Sequence, residues 1–79
     1  MSLPLFVQIR CTTGTTYKVA DAIALKEIHS ELYSTSGAFD LLVKIYVPEG
    51  EDIGMYLNEH LMGIEGIERT LTTQTFRVF

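Results

Sequence analysis

Apolar positions along this chain switch between two periods, and each switch marks an element. From Leu3 to Thr12 they alternate. Leu5, Val7, Ile9 and Cys11 fall on one face, and Phe6, Gln8 and Arg10 on the other. A period of two predicts a half-buried strand. Thr13-Gly14-Thr15 breaks the alternation. From Thr16 to Lys26 the spacing lengthens, with Val19, Ala20, Ile23 and Ala24 on one side, which predicts a helix N-capped by Thr15 or Thr16. Alternation returns from Ile28 to Thr35, where Ile28, Ser30 and Leu32 oppose His29, Glu31 and Tyr33.

The turn Ser36-Gly37-Ala38 leads into the strongest strand pattern, Ala38 to Val47. Phe39, Leu41, Val43, Ile45 and Val47 make one face of it, and Asp40, Leu42, Lys44 and Tyr46 the other. Pro48-Glu49-Gly50 ends it. A second helix is expected from Glu51 to Met62, because Ile53, Tyr56, Leu57, Leu61 and Ile64 recur at three- and four-residue spacings. Glu51 and Asp52 suit its positive end, His60 its negative end, and Gly63 a C-cap. A last strand is expected from Ile67 to Val78.

The order is β-α-β-β-α-β. With right-handed crossovers it gives an α+β, ferredoxin-like fold: a four-stranded antiparallel sheet with both helices on one face. The other face is left without a cover. Phe6, Gln8, Arg10, Leu42, Lys44 and Tyr46 fall on it. An apolar face of that kind needs a partner, so a homodimer packed sheet against sheet, barrel-like in section, is expected.

At 79 residues the chain reads as one small domain, and its 47% hydrophobic content exceeds what so small a core absorbs. This again points to association. The net charge is -4 and the six basic residues are scattered, which argues against nucleic-acid binding by this chain and against a membrane-surface role. No apolar run is long enough to span a bilayer, and the first residues lack the basic start of a signal peptide, so the cytoplasm is expected. The one cysteine, Cys11, reads as a small buried hydrophobe.

Three features carry candidate chemistry. Asp40 heads an apolar strand, where a carboxylate must be solvated, paired or bound. It either binds the ammonium of a small zwitterion or rigidifies the hairpin through local backbone N–H groups. Ser34, Thr35 and Ser36 are either donors to a carboxylate, together with turn N–H groups, or an ordinary polar hairpin tip. Thr70, Thr72, Thr73, Gln74 and Thr75 are either a pocket wall or a solvated strand face. His29 and His60 lack metal-ligand spacing, so no metal site is expected. No catalytic arrangement has supporting context, and no cofactor motif is present.

Several segments together resemble one family. Gly37-Ala38-Phe39-Asp40-Leu41-Leu42, then Lys44 and Val47-Pro48, resemble the Gly-x-aromatic-Asp segment of the Lrp/AsnC effector-binding (RAM) domain and the strand after it. Gly66-Ile67-Glu68-Arg69-Thr70-x-Thr72 resembles the family's Gly-Val-x-Arg-Thr-x-Thr strand, and Val19-Ala20-Asp21-Ala22-Ile23 fits its first helix. The resemblance spans essentially all of residues 1–79 and implies one RAM domain. It implies sheet-to-sheet dimers assembling into rings of eight or ten subunits, with a free amino-acid effector between dimers. Carried onto this sequence, Thr35, Ser36, Gly37, Ala38 and Asp40 receive the effector's amino and carboxylate groups, while Thr70, Thr72 and Gln74 approach from the last strand. Phe39 anchors the turn in the core.

The family's N-terminal helix-turn-helix has no counterpart in these residues. The expectation is a stand-alone member that binds no DNA itself and co-assembles with a full-length Lrp/AsnC regulator or serves another partner. Two other readings stand beside it. One is a cofactor-free monooxygenase or isomerase on the same fold, with His29 or His60 as base. The other is a purely structural assembly module.

Overall fold

Residues 4–11 build a central strand because their alternation buries every second side chain. In the computed structural model, which describes residues 3–79, the elements are β1 (Pro4–Cys11), α1 (Thr16–Lys26), β2 (His29–Ser34), β3 (Leu41–Tyr46), α2 (Ile53–His60) and β4 (Ile67–Gln74). Met1 and Ser2 lie outside the described residues. The sheet runs β2-β3-β1-β4 and every pairing is antiparallel. This is the ferredoxin-like arrangement expected from the order of elements.

The core lies between one sheet face and the two helices. Leu5, Val7, Ile9 and Cys11 of β1 and Leu41, Val43 and Ile45 of β3, with Val47, are buried there. Val19 and Ile23 of α1 and Leu57 and Leu61 from α2 and its cap close it, with Ile53, Tyr56 and Ile64 packed alongside. Each aliphatic side chain fully buried in this way contributes about 1.5–3 kcal/mol. No helix among the described residues is long and apolar enough to cross a membrane.

Several local expectations are corrected. Ala24 is exposed, so the buried stripe of α1 is Val19 and Ile23 with Ala20 beside them. Thr15 holds the N-cap position of α1, but its hydroxyl donates to the Thr12 carbonyl at 2.7 Å instead of accepting a helix N–H. Helix α2 is shorter than expected, because Asp52 is its N-cap and accepts from Met55 N at 2.9 Å. It ends at His60 with Leu61 as its C-cap, so Gly63 is not its cap.

The strands also begin or end differently. Strand β3 starts at Leu41, not Ala38, and β4 stops at Gln74, not Val78. In β2, His29 lies opposite Ile45 while Glu31 lies opposite Lys44, so Ser30 is an extra residue in a bulge. A bulge flips the alternation. His29 therefore falls in register with the core face rather than with Glu31 and Tyr33, and its Nδ1 is buried without a hydrogen-bond partner.

Candidate functional site

The turn between β2 and β3 is held by backbone bonds at its base. Thr35 N donates to Asp40 O at 2.9 Å, and Asp40 N donates to Ile9 O at 2.8 Å, which ties the turn to the end of β1. Thr35 Oγ1 donates to Phe39 O at 3.0 Å. Gly37 has φ +95°, a left-handed conformation that glycine adopts without steric strain. Ser36, Gly37 and Ala38 are exposed at the tip.

Asp40 is the half-buried acid of this turn. Its Oδ2 accepts from Cys11 N at 2.7 Å. The bond expected from local turn N–H groups is thus not the one made: the donor is the end of β1. One oxygen is used in this way, and among the described residues Oδ1 has no hydrogen-bond donor. Arg10 reaches the same turn from the open face and donates from Nη1 to Ala38 O at 3.0 Å. Its Nε lies 3.4 Å from Glu68 Oε1.

Phe39 is not in the core. It is half-buried outside any strand, with the Arg69 guanidinium 5.5 Å from its ring centre. The physical reason is that β3 starts two residues later, at Leu41, so Phe39 is free of the strand's inward register.

Thr70, Thr72 and Gln74 lie opposite Ile9, Val7 and Leu5, on the helix-side face of edge strand β4. Thr70 is half-buried, and Thr72 and Gln74 are exposed. Thr70 and Leu41 flank Ile9 from the two neighbouring strands, and Asp40, just before β3, donates its N–H to Ile9 O at 2.8 Å. Gln74 lies at the far end of β1. One protomer thus brings Thr35, Ser36, Gly37, Ala38 and Asp40 together but does not close them into one pocket with Thr72 and Gln74. A groove of about 380 Å³ lies elsewhere, between α1 and residues 63–66, and includes none of these side chains.

The open face carries Phe6, Gln8, Arg10, Leu42, Lys44 and Tyr46 as expected from their register. Sequence reasoning omitted Leu71 and Tyr33, which lie opposite Gln8 and Leu42 on this face and are 51% and 52% exposed. Alternation within β4 was the missed signal for Leu71, hidden by the run of threonines. Lys44 Nζ donates to Glu31 Oε2 at 3.1 Å, Tyr33 Oη donates to Glu31 Oε1, and Lys44 lies over the Tyr46 ring. Tyr33 and Lys44 hold the Glu31 carboxyl below its usual range, and Glu31 in turn raises both partners.

His29 and His60 lie on different elements. His60 packs on Tyr56 with ring centres 4.3 Å apart. Neither imidazole is bonded to a carboxylate among the described residues. No group of three or more His, Cys, Asp or Glu side chains that could hold a metal is found among those residues.

The family model of the Lrp/AsnC ligand binding domain matches residues 5–79. The chain belongs to that family. As an Lrp/AsnC domain it is 27% identical over 78 residues to the HTH-type transcriptional regulator FL11 of Pyrococcus abyssi, covering 96% of this chain but 52% of that protein. The domain thus spans about half the length of that curated relative. Its fold superposes on TTHA0845 from Thermus thermophilus with TM-score 0.85 and 29% identity, over 96% of this chain and 95% of that one. It also matches the transcriptional regulator NMB0573 of Neisseria meningitidis, solved with L-Met, at TM-score 0.79 over 95% of this chain and 50% of that one. Identity there is 10%, so that likeness concerns the fold alone.

Proposed function

We propose that this Lrp/AsnC domain is an amino-acid sensor whose effector is held at the Ser36–Asp40 turn. Asp40 carries the proposal. Its Oδ2 is fixed by Cys11 N at 2.7 Å, which orients Oδ1 without using it. A carboxylate held in this way is preorganised for an ammonium group. The exposed Ser36-Gly37 backbone supplies N–H donors for the effector's carboxylate, with Thr35 at the base of the turn. The L-Met complex of NMB0573, a protein of the same fold, supports the class of effector.

Thr70, Thr72 and Gln74 complete the site from a neighbouring copy, because within one protomer they do not close over the turn. An effector lodged between copies binds only the assembled state well, and this difference in affinity is what a regulatory ligand requires. The open face makes the homodimer, and dimers build the ring. In this reading the chain is cytoplasmic, contacts no DNA through residues 1–79, is not an enzyme, and acts by co-assembling with a full-length Lrp/AsnC regulator.

The test is a thermal-shift screen against the twenty amino acids with Asp40→Asn in parallel. A ligand at a hundredfold excess over its Kd stabilises the native state by about 2.7 kcal/mol, a shift of several degrees in Tm for a domain this small. The expected result is a shift for one or a few amino acids in the wild type and none in a folded Asp40→Asn. No shift with any amino acid overturns the reading.

A further inference from the structure

Lys18 and Lys26 are the two basic side chains without an ion-pair or ring partner among the described residues. Of the six in the chain, Arg10 pairs with Glu68 and Lys44 with Glu31, while Arg69 and Arg77 lie over the rings of Phe39 and Phe79. Both solitary lysines line the groove of about 380 Å³ between α1 and residues 63–66. Their positions on α1 are about 12 Å apart along the helix axis, with Ala22 halfway between them on the same face.

The loop that forms the opposite wall is shaped by two glycines. A Cβ at Gly66 would lie 2.8 Å from Val19 Cγ2 and 3.0 Å from Thr15 Oγ1, so the loop touches α1 there. A Cβ at Gly63 would meet nothing within 4 Å, so there is open space at that end. Ala22 and Ile64 are half-buried and give the groove an apolar floor. Small-molecule pockets usually run to about 300–1,000 Å³, so the space suits one small ligand. Glu65 lines it as well. Two lysines against one glutamate leave the lining with a formal charge of +1, on a chain whose net charge is -4. The complementary occupant has a single negative charge on an apolar body.

We propose that this groove binds a small apolar carboxylate that carries no amino group. The apolar body rests on Ala22 and Ile64. The two ammonium groups, on flexible four-carbon stems, converge on the carboxylate above Ala22, whose own side chain is too short to obstruct them. An amino group on the ligand would set a third positive charge beside these two, which disfavours amino acids here. A phosphate brings more negative charge than the lining offsets. The groove shares no residue with the Ser36–Asp40 turn. It is a second site, and its occupancy does not rest on the amino-acid reading of the first.

Hexanoate is titrated into the nitrogen-15-labelled chain at neutral pH and followed by amide chemical shifts. The expected shifts centre on Ala22, Gly63, Glu65 and Gly66. Across butyrate, hexanoate and octanoate, each further buried CH2 is expected to tighten binding by about fourfold. Lys18→Gln and Lys26→Gln, both at exposed positions, are each expected to weaken hexanoate binding by about three- to fivefold, the reach of an exposed ion pair. Ala22→Leu keeps a good helix former and fills the floor, so it is expected to abolish binding while the amide spectrum stays that of the fold. Norleucine, the same carbon chain with an amino group, is expected to shift these amides much less at equal concentration. Absence of shifts with hexanoate overturns the proposal, and so does binding unchanged in the lysine variants and in Ala22→Leu. Equal shifts with norleucine or hexylamine overturn it too. So do shifts centred on the Asp40 turn, or a response to inorganic phosphate and not to hexanoate.

Discussion

Asp40 Oδ2 accepts the Cys11 N–H at 2.7 Å, so the acid that opens β3 closes the far end of β1. Asp40→Ala leaves that part-buried N–H without a partner and is expected to lower stability by about 1–3 kcal/mol. Asp40→Asn keeps an amide oxygen in the same place and is expected to cost less. Urea denaturation of the three proteins checks the order. If Ala and Asn cost the same, the hydrogen bond is not what holds the two strand ends.

The same pair sets the reactivity of the thiol. Burial, first, and the Asp40 carboxylate, second, push the Cys11 pKa up, against an opposing hydrogen bond with Thr16. The thiolate is the reactive form. Iodoacetamide at pH 8 is therefore expected to label native protein at least about tenfold more slowly than urea-unfolded protein. Asp40→Asn removes the charge contribution and is expected to raise the native rate.

Gly66 has φ +100°, and a Cβ there would lie 2.8 Å from Val19 Cγ2 and 3.0 Å from Thr15 Oγ1. Gly66→Ala combines backbone strain with overpacking against α1 and is expected to cost at least about 2 kcal/mol. Gly63→Ala, with open space at its Cβ and no positive φ, is expected to be nearly neutral. Melting temperatures of the two variants make the comparison.

The Glu31–Lys44–Tyr33 cluster ties stability to pH at both extremes. Glu31 titrates below its ordinary range when folded, so its contribution is full above the ordinary carboxylate pKa and is lost as pH falls through the lowered value. Lys44 is raised, so its contribution is full below the ordinary lysine pKa and is lost as pH rises through the raised value. The stability difference between wild type and Glu31→Gln is expected to be flat near neutrality and to shrink toward acid and toward alkali. Because the cluster is open to solvent on one side, added salt is expected to shrink it too.

The open face is expected to hold the dimer. Leu42→Asp or Leu71→Asp places an unpaired carboxylate in its middle and is expected to give a folded monomer at micromolar concentration in size-exclusion chromatography with light scattering. A Thr73→Asp control, opposite Phe6 on the same face, is expected to weaken association less, because threonine contributes little apolar area. Unchanged mass in all three would place the association elsewhere.

Where one period ran uninterrupted, the sequence was readable. The alternation of Leu5, Val7, Ile9 and Cys11 and the stripe of Ile53, Tyr56, Leu57 and Leu61 correspond to the core. Bounds failed where a local hydrogen bond or an extra residue overrode the pattern. The Ser30 bulge moved His29 to the core side, the tie from Asp40 N to Ile9 O delayed β3, and the Asp52 cap shortened α2. The turn residues of the candidate site were legible in their motif. Their separation from Gln74 was not, because distance along β1 and across two strands is a property of sheet order. Leu71 was missed between Thr70 and Thr72, which share its strand but face the other way.

Strand β1 precedes the other described elements and is an inner strand, with β3 on one side and β4 on the other. Its last partner is the end of β4: Leu5 waits for Gln74, nearly a whole chain length away. During synthesis, one edge of the apolar β1 stays open until β4 leaves the ribosome. Closure over such a span is slow, because loop entropy must be overcome before the contacts form. In that interval the nascent β1 edge is open to the β4 of another copy as readily as to its own. A cell making this protein on crowded polysomes therefore meets its assembly problem before folding ends, and fast completion of translation through Gln74 protects the monomer from mispairing.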